Sequence, residues 1–260
     1  MKTTLLAAAL LTSGFMAQTT DSLPSAVYQK RPATAKDDGT RKSSQLLKGS
    51  TLDLAELEVH TSTLAPGKTN HTLQRHEDAE ELVIVQAGTL MATVADSTKA
   101  LGPSSMLLIE AGDNQQFRNA SAAPVMYCVL KFKAKTPVDK PRGQAGGGSL
   151  LKDWQQLKVV KTEKGEKRAV FDQASTMFKR FEVHATTLNP GVASHPPHTH
   201  RAEEIIVLVS GSGEELIDGK PQKATVGDVI LLRANVPHNF TNTGRTPCAY
   251  YAIQWHTDAE

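Results

Sequence analysis

Several features that mark common protein classes are scarce in this 260-residue chain. It has two cysteines, 5% aromatic residues, and 29 basic against 27 acidic residues, which leaves a formal net charge of +2. Nucleic-acid binding relies on basic surfaces and aromatic stacking, so this balance argues against a nucleic-acid partner. The chain has no Cys-X-X-Cys motif, which excludes a thiolate zinc site or redox pair of that type. We predict that Cys128 and Cys248 are separate buried thiols, with one disulfide as the alternative.

Long apolar runs are also lacking. Residues 5–11 (LLAAALL) form an apolar run that is too short for a spanning helix, which needs about 20 residues. Lys2 before this run and small residues near Ala17 predict a signal peptide over residues 1–20. The mature protein is therefore expected in the periplasm or outside the cell, without a membrane partner. A helix of the core is the alternative for this segment.

What the chain does contain is an internal repeat. Residues 58–67 (EVHTSTLAPG) return as residues 182–191 (EVHATTLNPG), and residues 76–88 match residues 200–211. The repeat length indicates two copies of one domain, because solenoid repeats run about 20–50 residues.

The repeat also predicts the domain organisation. After the signal segment, we expect a first domain over residues 21–136 and a second over residues 150–260. Residues 137–149 contain Pro141 and three consecutive glycines, which is typical of a linker.

Each copy shows the patterns of β-strands. Residues 82–85 (LVIV) and 205–209 (IIVLV) are apolar, β-branched runs, typical of strands covered on both faces. Asp218-Gly219 lies between two short runs and predicts a two-residue hairpin turn. Further runs recur at about ten-residue spacing, which predicts an antiparallel β-barrel in each copy. Helical candidates are short and lie near residues 150–157.

The second copy carries a cluster of metal-ligating residue types. His198 and His200 are two apart, so on a strand they would share a face, and Glu204 has the same parity. His238 follows from a later segment. Imidazoles and a carboxylate are ligands for Mn, Fe, Ni, Cu or Zn, and polar groups inside a small barrel need a partner. We predict one divalent transition metal here; surface histidines without a ligand are the alternative.

The motifs around these residues resemble those of the cupin superfamily. Its first motif is matched by Gly191, His198, His200, Glu204 and Gly211. The match has one extra residue after the first glycine. Its second motif is matched over residues 227–242, with Arg233 and Asn235 in place of the usual Pro and Gly. The resemblance covers most of both halves. It implies an all-β fold of two tandem jelly-roll barrels (double-stranded β-helices), and it makes His198, His200, Glu204 and His238 the metal ligands.

The first copy departs from that pattern. Gln74 and Gln115 stand where the second copy has His198 and His238, while His76 and Glu81 are kept. Amides are weaker ligands than imidazoles, although some cupins use a glutamine ligand. We therefore expect a degenerate site here that holds no tight metal, and a mainly structural role for this barrel or a retained pocket that binds a ligand without chemistry.

Further polar residues flank the second-copy motif. His195, which aligns with His71 of the first copy, is the candidate catalytic residue, as a proton shuttle beside the metal; a loop histidine without a role is the alternative. His60 and His184 recur on strands and are expected to face solvent. Arg201 and Arg233 are candidates for binding an anionic substrate, or surface ion-pair partners.

Two classes of function fit these observations. The first is a metal-dependent enzyme acting in the second barrel on a small carboxylate or hydroxy-ketone, by dioxygenase-like, decarboxylase, lyase or isomerase chemistry. The second is a non-catalytic secreted protein that binds a sugar acid with a structural metal. Members of the superfamily that decarboxylate oxalate keep the full ligand set in both halves, so Gln74 and Gln115 count against that assignment. The oligomer is left open between a monomer and a homo-oligomer.

Overall fold

The computed structural model describes residues 22–30 and 36–258 and has the predicted all-β fold of two tandem barrels. The predicted signal peptide lies outside the described residues. The strands before the linker are β1 (Ala26–Tyr28), β2 (Lys36–Asp37), β3 (Arg41–Gly49), β4 (Leu54–Leu64), β5 (Glu80–Ala87), β6 (Leu90–Val94), β7 (Ser97–Leu101), β8 (Met106–Ile109), β9 (Gln115–Arg118) and β10 (Val125–Ala134). The strands after it are β11 (Leu150–Lys152), β12 (Val160–Thr162), β13 (Gly165–Gln173), β14 (Arg180–Leu188), β15 (Glu203–Ser210), β16 (Ser212–Ile217), β17 (Lys220–Thr225), β18 (Val229–Leu232), β19 (His238–Thr241) and β20 (Cys248–His256).

Each barrel consists of a large and a small antiparallel sheet. In the first barrel the orders are β11-β8-β5-β10-β4-β3-β2 and β7-β6-β9; in the second they are β1-β18-β15-β20-β14-β13-β12 and β17-β16-β19. The β16–β17 hairpin turns at Asp218-Gly219 as predicted, and both residues have positive φ, of 49° and 73°. Positive φ at both positions is what a type I′ turn requires.

The two barrels exchange edge strands. Strand β1, from the first repeat unit, pairs with β18 of the second barrel, and β11, from the second unit, pairs with β8 of the first. The bounds that we propose for the domains therefore describe the two units of the sequence repeat. Each unit adds one edge strand to the large sheet of the other barrel. This pairing covers β8 and β18, which would otherwise be unpaired sheet edges.

Apolar side chains form three layers. Within β15, Ile205 and Val207 pack into a cluster shared by the two barrels, while Ile206 and Leu208 pack inside the second barrel. The first barrel has an equivalent interior cluster. Successive side chains of a strand point to opposite faces, so one apolar run serves two layers. This confirms the prediction that these strands are covered on both faces.

The same alternation sends two consecutive glutamates in opposite directions. Glu204 has the parity of Ile206 and faces the barrel interior, whereas Glu203 faces the first barrel. There the buried Glu203 carboxylate accepts hydrogen bonds from Thr51 Oγ1 and from the backbone N–H groups of residues 52 and 53. The repeat places Glu80 in the mirror position, where it accepts from Ser175, Thr176 and Met177.

The connection between the barrels differs from the prediction. Helix α1 (Lys140–Gly146) lies inside the segment expected to be an irregular linker, and the expected helical region contains β11 and one short 3₁₀ turn, Trp154–Gln156. Asp139 caps α1 by accepting from the Arg142 N–H, and Gly147 ends it with a φ of 120°. The glycines that suggested a linker therefore include the residue that terminates a helix.

Candidate metal centre in the second barrel

The backbone brings two of the predicted ligands together. His198 and His238 form an antiparallel bridge, with N–H to O distances of 3.2 and 3.0 Å in the two directions. His238 is the first residue of β19, and Glu204 lies at the start of β15. His198 and His200 precede β15 in a segment that is not a strand, so the strand argument for their shared direction was wrong. The bridge to residue 238 positions His198 instead.

All four predicted ligands converge at this point. One nitrogen from each of His198, His200 and His238 lies within 4.8 Å of the others. The Glu204 Oε2 atom is 3.1 Å from His200 Nε2 and 3.7 Å from His238 Nε2. Glu204 and His238 are buried, while His198 reaches the surface. The cluster thus sits at the inner end of an opening to solvent.

The donor atoms fit a bound cation. His200 Nδ1 and His238 Nδ1 each donate to a backbone carbonyl oxygen, at 2.8 Å in both cases, which directs Nε2 toward the cluster. Metal-ligating histidines are oriented in this way in many proteins. The buried His238 Nε2 has no hydrogen-bond partner within the described residues. A free imidazole nitrogen beside a carboxylate oxygen is a pair of acceptors, which a proton or a metal must bridge.

The charge at the centre is concentrated on Glu204. Burial alone would raise the pKa of this carboxyl, but hydrogen bonds from His200 and Gln254, together with the electrostatic influence of His238, hold it well below its usual range. The hydrogen bond between His200 and Glu204 also raises the pKa of His200. Glu204 is therefore an ionised carboxylate inside the barrel, which favours a cation next to it.

Gln254 is a site residue that sequence reasoning missed. It lies on β20, and its Nε2 atom donates to Glu204 Oε2 at 3.0 Å. The repeat places Lys131 at the same position in the first barrel. A comparison of the two copies at every position, and not at the motif residues alone, would have found it. Gln254 is replaced by Lys131 in the copy that has also lost two of the histidines.

His195, the predicted catalytic residue, lies next to the cluster. Its ring centroid is 4.0 Å from that of His198 and 6.2 Å from that of His238. Its Nδ1 atom donates to the Pro196 carbonyl oxygen at 3.0 Å, which leaves Nε2 without that proton. Burial, together with the neighbouring His238, lowers the pKa of His195.

A cavity of about 510 Å³ opens from the cluster toward solvent. Its wall includes Tyr250 and the buried Glu215, and Lys164 lies at its exposed rim. His184 also lines the cavity, and His60 lines the corresponding cavity of the first barrel. These two histidines therefore lie in the solvent-facing mouths of the barrels, outside the ligand cluster.

In the first barrel, hydrogen-bonded side chains occupy the position that corresponds to the ligand cluster of the second barrel. Gln115 Nε2 donates to Glu81 Oε2 at 2.8 Å, and His76 Nε2 lies 3.2 Å from Glu81 Oε1. Lys131 Nζ lies 3.3 Å from His76 Nδ1. Gln74 forms the backbone bridge to Gln115 that matches the His198–His238 bridge. Glu81 thus has the Gln115 amide where the second barrel has the His238 imidazole, and the Lys131 ammonium group stands at the position of the Gln254 amide.

Arg201 and Arg233 contact segments that are distant in the chain. Arg201 forms a bidentate ion pair with the buried Asp53, with both distances 2.9 Å, so it joins the barrels. The Arg233 backbone N–H donates to Ser25 Oγ of the N-terminal segment.

Cys128 and Cys248 are free and buried, as predicted. Burial raises the pKa of their thiols to about 12 and about 11.

The fold and the motifs agree with the family comparison. The family model described as "Cupin domain" matches residues 60–131 and 184–254, one match in each barrel. The chain belongs to the cupin family and contains two cupin domains. Within the described residues, no helix is long and apolar enough to cross a membrane.

Known proteins similar to this chain have diverse activities. A mannose-1-phosphate guanylyltransferase from Klebsiella pneumoniae is 34% identical over 76 residues, which cover 29% of this chain and 16% of that protein. AerE from Microcystis aeruginosa has a TM-score of 0.65 at 18% identity, covering 88% of this chain and 98% of AerE. The Bacillus subtilis oxalate decarboxylase, which has Mn(II) centres, has a TM-score of 0.62 at 14% identity, covering 84% and 73% of the two chains. The two structural similarities show the fold alone.

Proposed function

We propose that this protein is a metal-dependent enzyme whose second barrel acts on a small oxygen-rich substrate, a carboxylate or a hydroxy-ketone. The observation that carries the proposal is the convergence of three imidazoles and one carboxylate at the inner end of an open cavity. A purely structural metal site would have its ligand set closed off from solvent.

His198, His200, Glu204 and His238 would hold one divalent transition metal, of the Mn, Fe, Ni or Zn type. Such a metal supplies Lewis-acid chemistry or activates oxygen when it is bound. The chain itself orients the ligands: backbone carbonyls direct His200 and His238, and Gln254 holds Glu204. The Mn(II) centres of the oxalate decarboxylase, which shares this fold, also support a metal.

We assign His195 the role of moving a proton at the substrate. Its ring stands beside the ligand cluster, and its Nε2 atom is the free nitrogen because Nδ1 is bound to the Pro196 carbonyl. His195→Gln keeps a polar side chain of similar reach but removes the imidazole. We expect metal content and substrate affinity to change less than a few-fold, and turnover to fall at least about tenfold. Unchanged turnover would refute this role, and loss of the metal would make His195 a ligand.

The experiment that tests the proposal combines elemental analysis with a substrate panel. The purified protein is expected to contain one metal per chain and to turn over a member of a panel of small carboxylates, uronates and flavonols. Bound metal with ligand binding but without turnover across the panel would favour the alternative, a sugar-acid-binding protein with a structural metal. Absence of metal after reconstitution would overturn the proposal.

We also propose that the protein is exported. The proposal is supported by Lys2 and the apolar run of residues 5–11, the pattern of a signal peptide. Expression of the full chain, followed by N-terminal sequencing of the periplasmic or secreted protein, tests it. An intact N-terminus on protein found only in the cytoplasm would refute it.

A further inference from the structure

Glu215 is a buried glutamate of the second barrel that lies outside the ligand cluster. It lies on β16, where Gly213, Glu215 and Ile217 alternate inward, and it is fully buried. It lines the same cavity as His198 and His238. Within the described part of the chain, neither Glu215 Oε1 nor Oε2 has a hydrogen-bond partner. Buried polar atoms without a partner are rare in folded proteins and often mark a site where something binds.

The surroundings of Glu215 favour its neutral form. Burial is the main cause that raises the pKa of Glu215, to about 9, and the nearby negative charge of Glu204 adds to this effect when no cation is bound to it. A neutral carboxyl group offers one O–H donor and one carbonyl acceptor, whereas the ionised form offers acceptors only. The side chain can therefore donate a hydrogen bond into the cavity at neutral pH.

The first barrel shows that the fold does not need this acid. Glu215 pairs with Phe240 across the small sheet, and Ala92 pairs with Phe117 at the matching place in the first barrel. The barrel without the imidazole cluster thus has a methyl group where the second barrel has a carboxyl. The barrel can therefore be built without an acid at this position. The acid occurs in the barrel that has the ligand cluster, which indicates that Glu215 contacts a molecule bound in the cavity.

The rim of the cavity indicates the charge of that occupant. Lys164 and Lys167 line the exposed mouth, together with one acid, Glu163. A bound divalent cation at the inner end would add further positive charge. Fields of this kind draw anions into a cleft.

We propose that the Glu215 carboxyl group donates a hydrogen bond to an oxygen of a small carboxylate ligand bound in this cavity. The inference rests on the proposed function and narrows its substrate class to carboxylate anions. An ionised side chain at this position would repel such a ligand. The O–H group instead binds one of its oxygens and selects against ligands that lack an acceptor there.

The test measures oxalate binding by calorimetry to the metal-loaded protein, with the uncharged diamide oxamide as the comparison ligand. Glu215→Gln retains a neutral donor and is expected to bind oxalate within a few-fold of the wild type. Glu215→Leu removes the donor and is expected to weaken binding by about 10- to 100-fold. Glu214→Gln, on the opposite face of the same strand, is the matched control and should match the wild type. All variants should keep the wild-type metal content.

Infrared spectroscopy supplies a second readout that does not depend on the metal. The difference spectrum between the wild type and Glu215→Gln at neutral pH should contain the carbonyl band of a protonated carboxylic acid, and the Glu214→Gln difference spectrum should not. Absence of this band overturns the proposal, as does equal oxalate affinity of Glu215→Leu and the wild type. Oxalate binding no tighter than oxamide binding overturns the carboxylate assignment. If the wild type takes up no metal, the proposed metal-dependent enzyme is refuted but the proposal for Glu215 is not. The infrared band then decides whether Glu215 is a hydrogen-bond donor.

Discussion

Replacing Glu203 by alanine is expected to lower the free energy of unfolding by about 3–5 kcal/mol. The Glu203 carboxylate is fully buried between the barrels, and it accepts one hydrogen bond from the Thr51 hydroxyl and two from backbone N–H groups. Alanine removes all three acceptor interactions at once. The loop that carries Thr51 and Asp53 belongs to the first barrel, so the loss falls on the contact between the two domains.

The magnitude follows from which donors stay buried. The Thr51 hydroxyl and the Asp53 N–H lie in buried hydrogen bonds, whereas the Leu52 N–H is only partly buried and can reach water. Each buried donor left without a partner costs roughly 1–3 kcal/mol. Two such donors cost roughly 2–6 kcal/mol and the one lost side-chain methylene about 0.8 kcal/mol, so the stated range is the lower part of an interval of about 3–7 kcal/mol. Glu203→Gln keeps one carbonyl oxygen, so we expect about half the effect.

Urea unfolding followed by tryptophan fluorescence measures this effect, because Trp255 is buried in the cluster shared by the barrels. The melting temperature should fall by about 6–20 °C for a protein of this size. Asp172→Ala is the matched control: it removes an exposed ion pair with Arg180 and should cost less than about 1 kcal/mol. A Glu203→Ala variant as stable as Asp172→Ala would refute the reasoning.

Three further predictions concern the metal and the pH dependence of stability. His238→Ala should lose the metal, and its melting temperature should no longer respond to a chelator; the wild type should lose about 2.7 kcal/mol on chelation from 100 times Kd. Full metal occupancy in this variant would contradict the ligand assignment. The Gln74→Ala and Gln115→Ala variants should keep about one metal per chain by elemental analysis, and a fall from two to one would make glutamine a ligand. Glu110→Gln should stabilise the protein near pH 7 by on the order of 2 kcal/mol after allowance for solvent screening, because burial and the charge of Glu80 raise the pKa of Glu110 from 4.5 to about 8. The native state holds this proton as the pH rises from about 4.5 to about 8, so wild-type stability falls over that window; equal pH profiles of variant and wild type in urea unfolding would contradict the assignment.

The local pattern of the chain was sufficient to predict the fold. Apolar runs such as residues 82–85 are β-branched and bounded by turn residues, and the Asp218-Gly219 turn is specified by its own backbone preferences. The duplication made each of these signals appear twice. Chain-local patterns missed helix α1, because its composition is that of a linker and its stability depends on caps at Asp139 and Gly147.

The predicted ligand set needed only residue types and spacing, but its geometry did not follow from them. His198 and His200 do not lie on a strand, and the bridge between His198 and His238 positions the first of them. Gln254 and Glu215 belong to no motif, since a single residue on a strand has no spacing signal. They become visible only when the closed barrel places them beside Glu204 and the cavity.

The sequence by itself determined the repeat, the strand pattern and the choice of candidate metal ligands, because these depend on local backbone preference and on side-chain chemistry. Only the tertiary structure decided how the two units combine. The exchange of β1 and β11, the Arg201–Asp53 ion pair and the inter-barrel hydrogen bonds of Glu203 join residues far apart in the chain. Such pairings depend on which surfaces meet when both barrels close, and no local pattern carries that information.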